Sequence, residues 1–324
     1  MVESFSKAVA DSERIRVGIS SCLLGEEVRY NGGHKRHRYV QQILGRYFDY
    51  VPVCPEVAIG LGVPRPPIRL VGTPDNPRAV DTTDPERDYT ERLAEYGQRK
   101  AAELVDISGY ILKSKSPSCG MERVKVYDAN GVPSGAGRGI YAAEIMRANP
   151  VLPVEEEGRL NDPAIRDNFL ERVWVYDRWR RMRSAGLSPG GLVDFHTRNK
   201  FLVLAHDQQA YRQLGRIVAE AGAGDIETRA EEYIRLLMEA LSRHATRRAQ
   251  ANVLMHMAGY FKKLLDSDDR QELADSIEAY RRGDQPFLVP LTLLRHFLRK
   301  HPDGYLQAQT YLDPYPRELG SGER

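Results

Sequence analysis

Cys22, Cys54 and Cys119 are the residues around which this sequence can do chemistry. Each follows a short apolar run that reads as a strand: Ile15-Arg-Val-Gly-Ile19, Tyr50-Val-Pro-Val53 and Gly109-Tyr-Ile-Leu112. Each precedes turn-forming residues. Taken singly, a buried cysteine is usually a small hydrophobe. Taken together, three strands that each end in cysteine can bring three thiolates to one edge of one sheet. Ligand sites in open α/β sheets lie beyond the carboxyl ends of the strands. The spacing contains no C-x-x-C pair and is not that of a zinc ribbon. It is compatible with zinc on three thiolates and an open fourth position. It is also compatible with an iron–sulfur cubane, which normally takes four thiolates, so that three leave one iron without a protein ligand. Such an iron is a Lewis acid suited to a soft donor atom, sulfur above all.

The surroundings of the cysteines supply acid–base groups. Glu56 lies two residues beyond Cys54, within reach of whatever an open metal position holds; alone it reads equally well as a surface or helix-capping glutamate. The run Lys113-Ser-Lys-Ser-Pro-Ser-Cys-Gly120 is the most informative stretch in the chain. Ser116 and Ser118 either donate hydrogen bonds to a substrate or satisfy the loop backbone. Lys113 either binds an anion or snorkels from the strand end. Ser21, Lys113 and Ser118 are the candidate substrate contacts. Lys35, Arg36 and Arg38 form a basic cluster that is either a solvated helix face or a phosphate site.

The elements that must position these residues alternate. Strands are expected at 15–19, 50–53, 109–112, 124–127 and 151–154, with helices from His34 to Leu44, Thr90 to Val105 and Ile140 to Arg147. Residues 64–88, rich in Pro, Asp and Thr, read mostly as loop, Asn31-Gly-Gly33 reads as a turn, and 131–139 is glycine-rich. Alternating strands and helices indicate a mostly parallel sheet. From about Asp162 the pattern becomes helical. Ala164 to Arg183 reads as one helix and Ser188-Pro-Gly-Gly191 as a linker. An apolar stripe at Phe201, Leu204, Tyr211, Leu214 and Val218 follows, and another from Tyr233 to His244. Asp268 or Asp269 is expected to cap a helix that Gly283 stops. Pro290 suits the first turn of a last helix, 291–300, and the tail from Pro302 reads as extended. The division expected is 1–160, a connecting helix and linker at 161–189, and a helical domain at 190–324.

The totals exclude several classes. At 324 residues the chain can build two cores. A net charge of +2 gives no global field for a polyanion, so nucleic-acid contact must come from local patches. No apolar run is long enough for a membrane span. Residues 1–13 read as a polar lead-in without the apolar core of a signal peptide. An odd number of distant cysteines argues against a disulfide framework and fits a reducing cytoplasm.

Three segments resemble, in order, the motifs of the thiouracil desulfidase family: Ser20-Ser-Cys-Leu-Leu-Gly25 with Val28-Arg-Tyr-Asn-Gly32, Cys54-Pro-Glu56 with Gly60-Leu61 and Pro64-Arg65, and Lys113 to Gly120. The likeness covers about residues 14–155. The helical half resembles a domain of unknown function often fused behind it, and the fused form is similar to bacterial desulfidases of 4-thiouridine in tRNA. The resemblance implies a Rossmann-like domain followed by an all-α domain. It implies a [4Fe–4S] cluster held by Cys22, Cys54 and Cys119, with one open iron to take the sulfur of a thiocarbonyl base. Glu56 and Ser116 carry over as the catalytic acid and serine, with Ser118 in the same motif. The reaction would convert C=S to C=O plus hydrosulfide, with no redox partner and no membrane. The helical half would be the RNA handle, through Arg243, His244, Arg247 and Arg248 on one helix and Arg198 with Lys200 opening another. Lys35, Arg36, Arg247 and Arg248 are the RNA phosphate candidates. Three other readings remain open from sequence: desulfuration of free thiouracil or thiouridine nucleotides, a non-catalytic iron–sulfur sensor that binds nucleic acid, and a zinc hydrolase.

Overall fold

The computed structural model describes residues 14–320, so the expected lead-in at 1–13 lies outside the described residues. The chain divides into two compact units, one ending at Asn161 and one beginning at Asp162.

The first unit contains β1 (Ile15–Ser20), β2 (Phe48–Val53), α1 (Pro55–Ala58), β3 (Ile68–Thr73), β4 (Asn76–Asp81), α2 (Thr90–Glu103), β5 (Tyr110–Leu112), β6 (Val124–Tyr127), β7 (Pro133–Gly137), α3 (Ile140–Ala148) and β8 (Val154–Glu156). One sheet has the order β2-β1-β5-β8 and is parallel throughout. Its central strands are apolar because both faces are covered: Val17, Ile19, Ile111 and Leu112 are fully buried. β1 connects to β2 on one side, and the chain then crosses to β5 on the other. The β1/β5 boundary is therefore a switch point, where a crevice opens at the carboxyl edge.

A second sheet, of order β4-β3-β6-β7, was not expected. Residues 64–88 are not mostly loop: β3 and β4 pair antiparallel, and the alternation of Ile68 and Leu70 with half-exposed Arg69 and Val71 buries one face. Glycine-rich 131–139, for which no element is expected, contains β7, which pairs antiparallel with β6. Ile68, Leu70, Ala79, Leu93, Val124, Val126 and Ile140 share one core.

Two further expectations for this unit are corrected. Residues 34–37 are not helical, because Lys35 N–H and His37 N–H are drawn onto the carbonyls of Cys22 and Leu23 at 2.8 and 2.9 Å. Only one π turn (Tyr39–Ile43) and one 3-10 turn (Leu44–Arg46) follow. The last strand is Val154–Glu156 rather than 151–154, because Leu152 closes a turn on Asn149. This shift puts two glutamates into the strand.

The second unit is helical: α4 (Pro163–Ser184), α5 (Pro189–His206), α6 (Gln208–Ala219), α7 (Ile226–Ser242), α8 (Arg247–Ala258), α9 (Ser267–Arg282), α10 (Leu288–Lys300) and α11 (Gly304–Gln307). All but α10 start at an Asp, Ser or Thr whose side chain accepts a first-turn N–H. These caps explain the differences from expectation. Ser188 caps Gly191 N–H, which turns the supposed linker into the first turn of α5. Asp207 caps α6 and splits the 201–218 stripe between two helices. Thr246 caps α8, so Arg243 and His244 do not share a helix with Arg247 and Arg248. Asp266, not Asp268 or Asp269, caps α9, and Gly283 ends it in the left-handed region. α10 begins at Leu288 with Pro290 in its first turn. The tail is folded rather than extended: Tyr311, Leu312 and Tyr315 are buried, and Tyr311 donates its hydroxyl to Gln250 Oε1 at 2.5 Å. Trp179, stacked on Tyr233 with Phe195 edge-on to both, marks the aromatic part of this core. No helix among the described residues is long and apolar enough to cross a membrane.

Candidate functional site

Three adjacent parallel strands deliver the three cysteines to one edge. Cys22 sits in a 3-10 turn (Ser21–Leu24) directly after β1, and Gly25, at φ 99°, stops that turn. Cys54 is the residue before α1, directly after β2. Cys119 lies in the loop after β5. All three are free thiols and line one cavity of about 390 Å³, together with Ser21, Glu56 and Ser116. Burial raises all three thiols. It pushes Cys22 up to about 11, despite Arg29 and Lys113, and Cys119 well above its ordinary value. Thiolates here therefore need a strong positive charge among them.

The Cys119 loop is held from several sides. Ser116 Oγ accepts from Cys119 N–H at 3.0 Å and from Ser118 N–H at 3.3 Å. Its own hydrogen faces Ser118 Oγ at 3.4 Å, since the Ser118 hydrogen goes to Glu56, and Ser116 lines the cavity. The amino end of α3 binds the loop's carbonyls, with Ile140 N–H on Pro117 and Ala142 N–H on Ser118, both at 3.0 Å. A Cβ at Gly139 would stand 2.5 Å from the Ser118 carbonyl carbon, so this approach requires glycine. Lys113 N–H donates to Ser20 Oγ at 2.9 Å, tying β5 to β1.

The acids after β5's neighbour complete the clamp. Glu157 accepts from Lys113 Nζ at 2.5 Å, Ser114 N–H at 2.7 Å and Ser114 Oγ at 2.8 Å. Burial alone would raise its carboxyl, but Lys113 and Ser114 outweigh burial and hold it low. Glu156 accepts from Met121 N–H just past Cys119. Sequence reading missed this role, although the acid run Glu155-Glu-Glu157 was visible. It also assigned Lys113 to substrate. Lys113 does line the cavity, but its ammonium is engaged by Glu157 and Ser114.

Glu56 is gripped at both oxygens. Arg65 gives Nη2 and Nε to Oε2 at 2.6 and 3.0 Å, and Ser118 gives its hydroxyl to Oε1 at 2.5 Å. Arg65 also donates to the carbonyls of Val28 and Gly62, at 3.0 and 2.8 Å. Arg65 was quoted in a motif but given no role; a buried arginine beside a candidate catalytic carboxylate was the missed signal. Ser118 is fully buried and supports Glu56, whereas Ser116 faces the cavity.

Of the basic candidates, Lys35 lines the cavity with Arg29 and Lys115, while Arg36 is exposed and bonds Gln41. In the second unit, Arg243 is paired with Asp207 and Glu239, and Arg198 with Asp194. Arg247 lies over the Tyr280 ring and Arg248 is exposed.

The family model for 2-thiouracil desulfurase matches residues 17–157, which contain the whole of this cavity. The uncharacterised protein YbbK of Bacillus subtilis (strain 168) is 34% identical over 153 residues, 44% of this chain and 97% of that protein. The chain belongs to the 2-thiouracil desulfurase family. A second family model, a protein of unknown function (DUF1722), matches residues 200–316. The uncharacterised protein YbgA of Escherichia coli (strain K12) is 39% identical over 154 residues, 47% of this chain and 91% of that protein. A solved structure of the [4Fe-4S]-dependent thiouracil desulfidase TudS aligns over 46% of this chain and 95% of its own, at 29% identity and a TM-score of 0.36.

An iron–sulfur cluster fits the desulfurase cavity on chemical grounds. Its three donors are thiols, and burial makes their anions depend on a cationic partner. Among the described residues no group of His, Cys, Asp and Glu converges closely enough to hold one metal ion. The sulfurs instead stand around the cavity.

Proposed function

We propose that the first unit converts the thiocarbonyl of a thiouracil-type base to a carbonyl, releasing hydrosulfide, on a [4Fe–4S] cluster held by Cys22, Cys54 and Cys119, and that its substrate is 4-thiouridine in tRNA. The observation that carries this is the meeting of three free cysteines, Glu56 and Ser116 in one cavity at the carboxyl edge of the parallel sheet. Sulfurs spread around a cavity suit a cluster with several iron corners better than a single zinc ion. When bound, the cluster supplies a Lewis-acidic iron for the soft thiocarbonyl sulfur.

The chain's own residues do the rest. Glu56, aimed by Arg65 and Ser118, takes a proton from the water that attacks the thiocarbonyl carbon. Ser116, whose hydrogen has only a long contact to Ser118 Oγ at 3.4 Å, turns it toward the base when substrate binds. Water supplies the oxygen, and sulfur leaves as hydrosulfide with one proton released. No electrons are exchanged, so no redox partner is required. The fused helical unit, matched by the family model of unknown function, is the part to which we assign the RNA contact.

The test is anaerobic reconstitution followed by turnover of thiolated tRNA, thiouridine nucleotide and free thiouracil, reading hydrosulfide release. Glu56→Ala should keep the cluster's visible absorbance and lose about 10²–10⁴ in rate. Each Cys→Ser change should lose the absorbance itself. A fully active Glu56→Ala protein removes Glu56 from the mechanism. Turnover of free base with none on tRNA sinks the tRNA assignment alone.

A further inference from the structure

The second unit carries an aromatic stack that its own core does not complete. Lys200 on α5 holds its ammonium 4.8 Å from the Tyr305 ring centroid. Tyr305, in α11, stacks on Tyr260 with centroids 5.5 Å apart and planes 19° from parallel. Tyr260 lies in the short 3-10 turn after α8 and is 44% exposed. Phe201 stands nearly perpendicular to Tyr260, at 6.5 Å, and edge-on to Tyr305, at 6.1 Å. Phe201 thus flanks both rings, while Tyr260 stays 44% exposed.

Cations stand beside that ring, with Asp303 as an acid nearby. Lys262 and Lys263 follow Tyr260 and are exposed. Among the described residues, neither they nor Lys200 form an ion pair with a carboxylate, whereas Arg198 and Arg243 are neutralised by acids. Asp303, the nearest acid on α11, is occupied as that helix's cap.

We propose that Tyr260 is a stacking platform for an unpaired base of single-stranded RNA, with Lys262 and Lys263 on its phosphates and Lys200 behind the stack. A nucleobase is the flat π-surface that extends such a ladder, and the adjoining lysines meet the anionic backbone that comes with it. Base–aromatic stacking tolerates any base, so this surface binds without reading sequence. The proposal deepens the RNA-substrate reading and rests on it. It also moves the handle away from Arg243, His244, Arg247 and Arg248.

The experiment uses the full, cluster-loaded chain and a short fluorescein-labelled oligouridylate, with anisotropy measured across a salt series. Tyr260→Ala should weaken binding between about 5- and 150-fold. Tyr260→Trp should restore it, with the new indole emission quenched as RNA is added. Lys262→Ala with Lys263→Ala should flatten the slope of log K against log salt by about 1.4. All three variants should turn over free thiouracil at the parent rate. Unchanged affinity of Tyr260→Ala at every salt concentration overturns the platform. Normal loss of affinity, in a protein that never desulfurates tRNA, keeps the platform and overturns the substrate reading instead.

Discussion

Arg65→Met is the sharpest probe of how the site is held. Arg65 and Glu56 side chains are only 5% and 15% exposed, so this is a buried pair. The change removes four donated bonds at once: two to Glu56 Oε2 and one each to the carbonyls of Val28 and Gly62. Methionine fills much of the same space but leaves a carboxylate and two carbonyls without those donors. Breaking one side of a buried pair typically costs about 3–5 kcal/mol. Glu56→Gln alone strands the guanidinium in the same way. The double variant should cost less than the sum of the two singles, by about 1–3 kcal/mol. Both tryptophans, Trp174 and Trp179, lie in the second unit, so their fluorescence is blind to this change. The assay is therefore urea unfolding of the loaded protein, followed through the cluster's visible absorbance and far-ultraviolet circular dichroism. A loss under about 1 kcal/mol in the single variant, or strict additivity in the cycle, would refute the argument that Arg65 fixes Glu56.

Three other outcomes follow from the geometry. Ser118→Ala should keep iron content but slow turnover about 10- to 150-fold, since a hydrogen bond to a charged acceptor is worth about 1.5–3 kcal/mol; Ser116→Ala should lose iron as well, because Cys119 N–H loses its acceptor. Gly139→Ala should cut iron retention, since its Cβ meets Ser118 backbone rather than a movable side chain; full iron content would show that the loop yields. His196 is pushed down to about 4 by burial and by Lys200, from an ordinary 6.5. Between those values the unfolded chain binds a proton that the folded one does not, so stability falls as pH drops below 6.5 and levels near 4. The total is about 3 kcal/mol, visible in urea unfolding followed by tryptophan fluorescence; an identical fall in His196→Phe would remove the cause.

The parts legible in the sequence were those with strong local signals. Cys22, Cys54 and Cys119 each end an apolar strand, and β1, β2 and β5 fall within a residue or two of where the pattern puts them. The long helices α2 and α4 were equally plain. What escaped was set by distant partners. The prolines, aspartates and threonines of 64–88 lie mostly outside β3 and β4 and mask the alternation in Ile68-Arg-Leu-Val71, which pairing with β4 and β6 makes a strand. Residues 34–37 leave the helix because Cys22 and Leu23 present carbonyls to them. In the second unit, Ser188, Asp207 and Thr246 break apolar periodicity that otherwise runs on, and a cap is worth about 1 kcal/mol, enough to place a boundary. The loop serines could not be told apart from sequence because both sit in one motif. Their roles differ only by which groups they meet: Ser118 turns to Glu56 and Ser116 to the cavity.

The electrostatics of the cavity explain why its acids and bases come in pairs. Three buried thiols that must ionise together repel one another, and Cys54 raises both Cys22 and Cys119. Any further anion nearby makes that worse. Yet the loop carrying Cys119 is clamped by Glu157, itself a charge that raises Cys22. Lys113 resolves the conflict, since it neutralises Glu157 and lowers Cys22 from the same position. Arg65 does the equivalent for Glu56, which otherwise raises Cys54 and Cys119. Glu56 and Glu157 thus each bring their own cation, whereas Glu156 is held by the Met121 N–H. Lys113, which looks in sequence like a substrate grip, and Arg65, to which the sequence assigns no role, are the counter-charges that let glutamates stand beside thiolates. Arg29, Lys35 and Lys115 also stand on the cavity wall, and among the described residues none of them is ion-paired with a carboxylate, so they are cations that can meet an anionic substrate.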